Sequence, residues 1–204
     1  SLRYGVGTAG AMDRLALQAG NVMVGNRPDA AGIEVPVLPF RVRFLRDTDF
    51  AVTGADAAAC LDGAPLPPWW TRRARAGQVL TLGVNGASFR SGARTYLLIA
   101  GGVDVPVVLG SRSTQLRGQF GGYLGRALLQ GDVLPGGPAP ALPRDPGAGF
   151  GVLPAAQALP DSAFCDVQGR VDPVVTALRV VTAAEYADFD PSALQAFWGP
   201  DWKI

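Results

Sequence analysis

Apolar residues recur at helical spacing near the start of the chain. Between residues 8 and 25 they form one stripe, made of Met12, Leu15, Ala16, Ala19, Val22 and Met23. Thr8 is a candidate N-cap, and Gly25-Asn26 before Pro28 marks an end. The pattern predicts an amphipathic helix over residues 8–25. Asp13 lies near its positive end, where either a charge that complements the helix dipole or a catalytic carboxylate fits.

Beyond residue 33 the pattern changes to short apolar and β-branched runs. They predict strands at residues 33–37, 40–45, 50–53, 58–61, 79–82, 87–89 and 95–100. Asp62-Gly63 and Asn85-Gly86 are hairpin-type turn dipeptides. The Trp69-Trp70 pair follows two prolines and either lines a pocket or, as we favour, covers a barrel end. Many short strands and few helices predict a mainly β fold, closed or sandwiched.

The run at 95–100 leads into a polar loop. It breaks at Gly101-Gly102, passes Asp104 and reaches the stretch from Gly110 to Thr114, which contains Ser111, Arg112 and Ser113. Small hydroxyls and a guanidinium after a rigid strand are typical of a polar ligand site. A strand followed by a well-capped loop is the structural alternative.

A glycine-rich stretch follows at residues 117–132. It has neither the lysine of a Walker motif nor the βαβ setting of a dinucleotide fingerprint. Arg112, Arg117 and Arg126 would suit a carboxylate, carbamate or phosphate. The alternative is ordinary surface arginine, which we adopt for Arg117.

The later part of the chain is less patterned. Residues 136–175 are rich in proline and glycine and predict a linker or long loop. Beyond them, residues 177–182 predict a strand, and residues 183–189 and 191–198 predict short helical turns, the second with Asp190 as N-cap.

Composition excludes several classes of function. The chain has no histidine, which removes serine–histidine and cysteine–histidine catalytic pairs and histidine metal sites. Its two cysteines lie far apart, so no metal site is predicted. The net charge of +1 gives no reason to expect nucleic acid, and no run approaches the roughly 18 apolar residues of a membrane span.

Several ordered motifs resemble one known family. They are GVGTAGAMDRLALQAGNVMVGN (5–26), Ile33-Glu34, VTGADAAACLDGAPLPPW (52–69), RTYLLIAGGVDVPVVLGSRST (94–114) and FGGYLGRALLQGDVLP (120–135). They resemble the biotin-dependent carboxyltransferase A/B family, also called allophanate hydrolase subunit 2 or KipI antagonist (KipA). That family includes the 5-oxoprolinase subunit designated C (the C component) and a region of urea carboxylase.

The resemblance implies a cyclophilin-like β-barrel architecture. We expect a carboxyltransferase subdomain A at residues 1–135, the loop or linker at 136–175, and the incomplete beginning of a second subdomain at 176–204. The family's opening Gln-Asp-x-Gly-Arg stretch and its second-half motifs do not occur, so we expect part of a site to be missing. The family's alanine is Gly20 here, which should weaken the helix by up to about 1 kcal/mol.

The resemblance also implies a function. We expect a component of a cytoplasmic, ATP-dependent hydrolase, the C component of 5-oxoprolinase, which converts 5-oxoproline to glutamate. Its partners would be a KipI-like subunit, which is the B component of 5-oxoprolinase, and a further subunit, and ATP would be used by the complex. The alternatives are a biotin-dependent carboxyltransferase acting on urea or a related amide, and a non-catalytic regulator that binds a KipI-like inhibitor.

Site residues follow as hypotheses on this basis. Arg112 is the candidate anion clamp, and Asp13 and Glu34 are the candidate acid/base carboxylates. The remaining candidates would bind substrate: Asn21 and Asn26 as amide-recognising groups, Ser111, Ser113 and Thr114 as hydroxyl contacts, and Arg126 as a second anion contact. For each, a cap or loop tie that maintains the fold is the alternative.

Overall fold

The structure is a computed structural model that describes residues 5, 7, 9–83, 90–140, 149–152 and 184–199 of the 204-residue chain. The chain divides into two compact units, Ser1–Pro154 and Ala155–Ile204. Each unit is described by itself below.

Two four-stranded antiparallel sheets form the described part of the first unit. The strands are β1 (Ile33–Val35), β2 (Phe40–Arg43), β3 (Thr48–Asp56), β4 (Cys60–Leu61), β5 (Ala64–Pro65), β6 (Trp70–Ala74), β7 (Val79–Leu82) and β8 (Arg90–Ile99). One sheet has the order β1-β8-β3-β6 and the other β2-β7-β4-β5. The prediction of a mainly β fold with few helices is confirmed.

The two sheets share one apolar core. Phe50 and Leu97 face it from the first sheet, and Leu80 and Leu82 face it from the second. All four side chains are almost fully buried, which stabilises the fold by roughly 1.5–3 kcal/mol each. The alternation of buried and half-buried residues along β7 has the period of two that a strand requires. The core thus lies inside a barrel-like wall of two sheets.

The first helix, α1 (Arg14–Met23), begins later than the apolar stripe predicts. Asp13, not Thr8, is its N-cap, with extended backbone angles and a side chain that accepts from Ala16 N. Gly7 and Gly10 precede it, and glycine favours a loop over a helical turn. The prediction that the helix starts at Thr8 was therefore wrong. The interpretation of Asp13 as a charge at the helix N-terminus is confirmed, because Asp13 is the N-cap.

α1 packs on the outer face of the first sheet. Ala16 and Met23 contact the cluster that contains Tyr96 and Leu98. Only part of the predicted apolar stripe is therefore buried, because Met12, Leu15 and Val22 are exposed. A Cβ at Gly20 would come within 2.9 Å of Thr53 Oγ1 and closer still to the Leu98 side chain. The helix can approach this sheet only because position 20 has no side chain.

Several strand boundaries differ from the sequence predictions. β8 is longer than residues 95–100, and β4 is shorter than 58–61 because Ala58 has a positive φ of 47°. β6 was not predicted, since its polar Thr71, Arg72 and Arg73 hide the alternation. The Asp62-Gly63 turn is confirmed, with both residues at positive φ. The predicted strand at 87–89 and the Asn85-Gly86 turn lie outside the described residues.

Parts of the predicted linker are bound to the first unit. Gly137 N donates to Gly102 O over 2.9 Å, and Thr71 N donates to Phe150 O over 2.7 Å. Trp69 is buried in the cluster that α1 covers, and its indole donates to Gly54 O, while the covering of a barrel end by the Trp69-Trp70 pair stays a prediction. The first compact unit thus extends beyond residue 135.

The second unit contains two short helices among its described residues. They are a 3₁₀ helix, Ala184–Asp188, and α2, Pro191–Trp198. Asp190 caps α2 through Ser192 N at 2.8 Å, as predicted. The predicted strand at 177–182 lies outside the described residues. Across the described part of the chain, no helix has both the length and the apolar character that crossing a bilayer requires.

Candidate functional site

Glu34 and Tyr96 face each other on the first sheet. The β1–β8 register places them directly opposite, and side chains in such a pair point to the same face. The Tyr96 hydroxyl donates to Glu34 Oε2 over 2.7 Å. This cross-strand pair lies on the face of the sheet that α1 covers.

The chain that leads into α1 is attached to the same pair. Met12 N donates to Glu34 Oε2 over 2.9 Å, and Asp13 N donates to the Tyr96 oxygen over 2.7 Å. A backbone N–H can only donate, so the hydroxyl accepts from Asp13 and uses its own proton for Glu34. The direction of each hydrogen bond is therefore fixed. We call Asp13, Glu34, Arg94, Tyr96 and the Met12 N–H the carboxylate cluster.

Asp13 is the member of the carboxylate cluster that is open to solvent. Its Oδ1 accepts from Ala16 N over 2.9 Å as the cap of α1. Its Oδ2 accepts no hydrogen bond within the part of the chain that the structure describes, and the residue is exposed. The second oxygen can therefore accept a hydrogen bond from a ligand without loss of the cap.

Both carboxylate oxygens of Glu34 lie against polar groups of the same chain. Oε2 accepts two hydrogen bonds, and Oε1 lies 3.6 Å from Arg94 Nε. Both side chains are about one-third exposed, so the pair is partly screened by solvent. Two hydrogen-bond donors and a guanidinium thus surround the Glu34 carboxyl group. Glu34 is therefore placed to hold its neighbours in position.

Tyr96 stays neutral in this setting. Burial raises the pKa of its phenol to about 12, the Asp13 N–H opposes that rise, and the Glu34 carboxylate reinforces it. The phenol hence remains a hydrogen-bond donor near neutral pH.

Asn21 and Asn26 have most of their side-chain hydrogen-bonding capacity satisfied within the chain. Asn21 is fully buried, its amide donates to Ala30 O, and its oxygen accepts from Asn26. Asn26 in turn donates to Ile99 O and accepts from Gly101 N. The two amides join the end of α1 to the end of β8. Substrate recognition by them stays a prediction, while the alternative of a loop tie has direct geometric support.

The loop from Gly110 to Thr114, which we call the hydroxyl loop, begins in a tight turn. Val108 and Ser111 exchange both backbone hydrogen bonds, and Leu109 and Gly110 have φ values of 50° and 77° between them. This is the pattern of a type I′ turn. Ser111 and Ser113 join their hydroxyls at 3.0 Å. Both hydroxyls thus lie on one short, rigid loop.

Arg112 is held by two residues that precede it in the chain. Its Nη1 donates to the Val105 carbonyl and lies 3.2 Å from Asp104 Oδ1. Its side chain is still 40% exposed, so the rest of the guanidinium can meet an anion. The role of anion clamp stays a prediction.

Thr114 lies beneath the glycine-rich stretch. Gly122 packs against its hydroxyl so closely that a Cβ would overlap it, and Gly121 packs against Ser113 O. On the other side, a methyl group at position 10 would lie 3.8 Å from Ser113 Oγ. The loop that leads into Asp13 therefore passes close to Ser113.

Arg126 is largely occupied. Its guanidinium makes two hydrogen bonds to Asp132, at 2.7 and 2.9 Å, and lies 5.6 Å from the Tyr123 ring centroid. The hydrogen bond from Arg126 lowers the pKa of Asp132 to about 2. Arg126 thus closes the loop from 126 to 132, and a second anion contact stays a prediction.

An open groove of about 400 Å³ lies beside these loops. Its walls are mostly apolar and include Val105, Val108, Phe120 and Leu124, with Asp104 at its edge. Arg112 reaches that edge through Asp104. The groove provides space for a small ligand next to the hydroxyl loop.

Sequence reasoning missed Arg94 and Tyr96. They occupy alternate positions of one strand and therefore lie on one face, which is a detectable signal. Their meeting with Glu34 depends on the β1–β8 register, which the sequence does not specify.

Comparison with known proteins assigns the chain to a family. Residues 4–204 match the family described as "Carboxyltransferase domain, subdomain A and B". The chain belongs to this family. Its mainly β fold agrees with that assignment.

Two relatives and one solved structure give the assignment detail. The chain is 33% identical over 202 residues to the C component of 5-oxoprolinase from Haemophilus influenzae, covering 99% of this chain and 57% of the relative. It is 40% identical over 132 residues to urea amidolyase of Saccharomyces cerevisiae, covering 65% of this chain and 7% of the relative. The crystal structure of K. lactis urea amidolyase is similar with a TM-score of 0.60 and 33% identity, covering 69% of this chain and 9% of that one. The chain thus spans little more than half the length of the 5-oxoprolinase component and a small part of the urea amidolyase.

Proposed function

We propose that the chain is part of the C component of 5-oxoprolinase, which belongs to an ATP-dependent complex that opens 5-oxoproline to glutamate. The observation that supports it most is coverage, because the similarity to a C component of 5-oxoprolinase extends over 99% of the chain. The similarity to the yeast urea amidolyase covers 65%. In this proposal the partners are a KipI-like subunit, which is the B component of 5-oxoprolinase, and a further hydrolase subunit.

The chemistry of such a reaction needs two kinds of group. An acid or base must handle protons while the cyclic amide bond breaks, and cationic or N–H donors must stabilise the oxyanion that forms. We propose that the Asp13 carboxylate handles protons, since its Oδ2 is open to solvent. We propose further that Arg112 and the hydroxyls of Ser111, Ser113 and Thr114 hold the anionic part of the substrate. ATP is used by the complex, and the proposal requires no contact between ATP and this chain.

The test is reconstitution of the full-length protein with its partner subunits. We expect ATP-dependent release of glutamate from 5-oxoproline. Arg112→Ala should reduce turnover by about a hundredfold or more, which is the effect of removing one donor that stabilises an oxyanion. Arg117→Ala, a change at an exposed arginine on a neighbouring turn, is the matched control. Normal turnover with Arg112→Ala would remove the clamp from the proposal.

A second candidate is a biotin-dependent carboxyltransferase acting on urea or a related amide. It is favoured by the 40% identity to a urea amidolyase and by the fold shared with a solved urea amidolyase. The test supplies carboxybiotin and urea and measures the carboxylated product. Carboxyl transfer without glutamate release would favour this candidate over the first. A tight complex with the KipI-like partner that shows no activity on either amide would argue for a regulator and against both enzymes.

A further inference from the structure

Tyr96 lies where the sheet, Glu34 and the start of α1 meet. Its ring is fully buried under α1, and its hydroxyl is bonded on both sides, to Glu34 Oε2 at 2.7 Å and to Asp13 N at 2.7 Å. Glu34 holds the preceding residue as well, through Met12 N. The backbone of Asp13 is thus fixed to the sheet from two directions.

We propose that Tyr96 is a positioning residue of the site, which acts with Glu34 to aim the Asp13 carboxylate at the ligand. This inference rests on the proposed function, in which Asp13 is the group that handles protons. In this assignment Asp13 touches the substrate, whereas Tyr96 and Glu34 act through it. The two carboxylates that the sequence offers as equivalent candidates therefore receive different roles.

Hydrogen-bond directions separate those roles. Glu34 Oε2 already accepts from Tyr96 and Met12, and Oε1 faces Arg94. Both Glu34 oxygens are therefore engaged within the chain. Asp13 needs only Oδ1 for its cap, and its Oδ2 accepts no hydrogen bond from the residues that the structure describes. Asp13 can therefore meet a ligand without loss of the support, whereas Glu34 cannot.

The orientation of Asp13 also depends on its backbone. An N-cap side chain reaches the helix only when its own residue is extended, and Asp13 has φ −103° and ψ 91°. The hydrogen bond from Asp13 N to Tyr96 holds that residue against the sheet. Loss of the hydroxyl should release the backbone and, with it, the direction of the carboxylate.

The experiment compares Tyr96→Phe with Thr95→Val in the full-length protein assembled with its partner subunits. Thr95 is the matched control because it is the next residue on β8, equally buried, and its hydroxyl donates to Ala55 O over 2.6 Å. Both variants remove one buried hydroxyl, but only Tyr96 reaches Asp13. Two readouts are taken: kcat and KM for glutamate release, and hydrogen exchange at the Ala16 amide, which reports the Asp13 cap.

We expect Tyr96→Phe to lower kcat by about tenfold or more with KM changed less than about twofold, and to speed exchange at Ala16. Thr95→Val should leave kcat and the exchange rate at Ala16 unchanged, apart from any effect of this variant on overall stability. Equal kcat values in the two variants, or unchanged exchange at Ala16 in Tyr96→Phe, would overturn the positioning role.

Two further outcomes are distinguishable from these. If the wild-type complex releases no glutamate, the proposed function fails, and the exchange comparison alone decides whether Tyr96 positions Asp13. If Tyr96→Phe does not assemble, Glu34→Ala gives the second measurement, since alanine has no oxygen to accept from Tyr96 or from Met12 N. Glu34→Ala should then reduce kcat and speed Ala16 exchange as well; normal values for both would overturn the proposal.

Discussion

The side-chain amide of Asn26 donates to the side-chain oxygen of Asn21 over 2.9 Å, and this hydrogen bond helps to join two structural elements. Asn21 belongs to the buried face of α1, whereas Asn26 reaches the end of β8 through Ile99 O and Gly101 N. The helix that carries the Asp13 cap is therefore fastened at its far end as well.

Replacement of Asn26 by alanine should destabilise the protein. Asn21 Oδ1 and Gly101 N lose a partner, while Ile99 O keeps its hydrogen bond from Gly102 N, and an unsatisfied buried polar group costs about 1–3 kcal/mol. We expect a loss of about 2 kcal/mol or more in the free energy of unfolding, measured by urea denaturation. Arg27→Ala, at the neighbouring exposed position, is the control. An Asn26→Ala variant with normal stability but weakened substrate binding would instead support the ligand role predicted from the sequence.

Two substitutions at Asp13 separate its structural and chemical roles. Asp13→Ala removes the cap and should cost about 1 kcal/mol, whereas Asp13→Asn retains a good capping side chain and should cost much less. If Asp13 handles protons, both variants should lose activity alike. Thermal unfolding and glutamate release measured on the same samples test this. Full activity in Asp13→Asn would show that Asp13 serves only as a cap.

Gly20 illustrates what the sequence can predict and what it cannot. As a helical glycine it should weaken α1, so propensity alone predicts that alanine stabilises the protein by up to about 1 kcal/mol. The structure reverses that expectation, because a Cβ would press on Leu98 and approach Thr53 Oγ1 to 2.9 Å. Overpacking of this kind costs about 1–3 kcal/mol.

We therefore expect Gly20→Ala to lower the free energy of unfolding by about 1–2 kcal/mol. The smaller side chain of Leu98→Val should relieve part of the clash, so the double variant should lose less than the sum of the two single variants. Urea denaturation of the four proteins gives this comparison. A Gly20→Ala variant that is more stable than the wild type would contradict this prediction and show that Leu98 and Thr53 can move to accommodate the methyl group.

The same contrast holds for the fold and the site as a whole. Alternation and turn dipeptides were enough to predict β7, the later half of β8 and the mainly β class, because those signals are local. β6 escaped prediction because the polar Thr71 is one of its buried residues and Arg72 and Arg73 follow it, so the strand shows no alternation of apolar residues. Asp13 and Glu34 were proposed as candidates from the sequence, but their different environments follow from the register that brings Tyr96 opposite Glu34. Register depends on pairing across more than sixty residues of chain, as the Glu34–Tyr96 separation of 62 shows.

Tyr96 should make the stability of the protein depend on alkaline pH. Its pKa is about 12 in the folded chain and 10.0 as the ordinary value, so between these pH values the unfolded state has released a proton that the folded state retains. Stability from this group is present in full below pH 10 and is lost as the pH rises towards 12. Few other tyrosine or lysine side chains titrate in the same pH range as Tyr96, because the chain has 4 tyrosines and Lys203 is its one lysine.

Denaturation of the wild type and Tyr96→Phe across this window tests the prediction. Phenylalanine has no proton to release, so the stability advantage of the wild type over the variant should shrink steadily from pH 10 to pH 12. Thr95→Val should keep a constant difference from the wild type, because threonine does not titrate there. An advantage that stays constant for Tyr96→Phe, or grows with pH, would mean that burial and Glu34 do not hold the phenol in its neutral form.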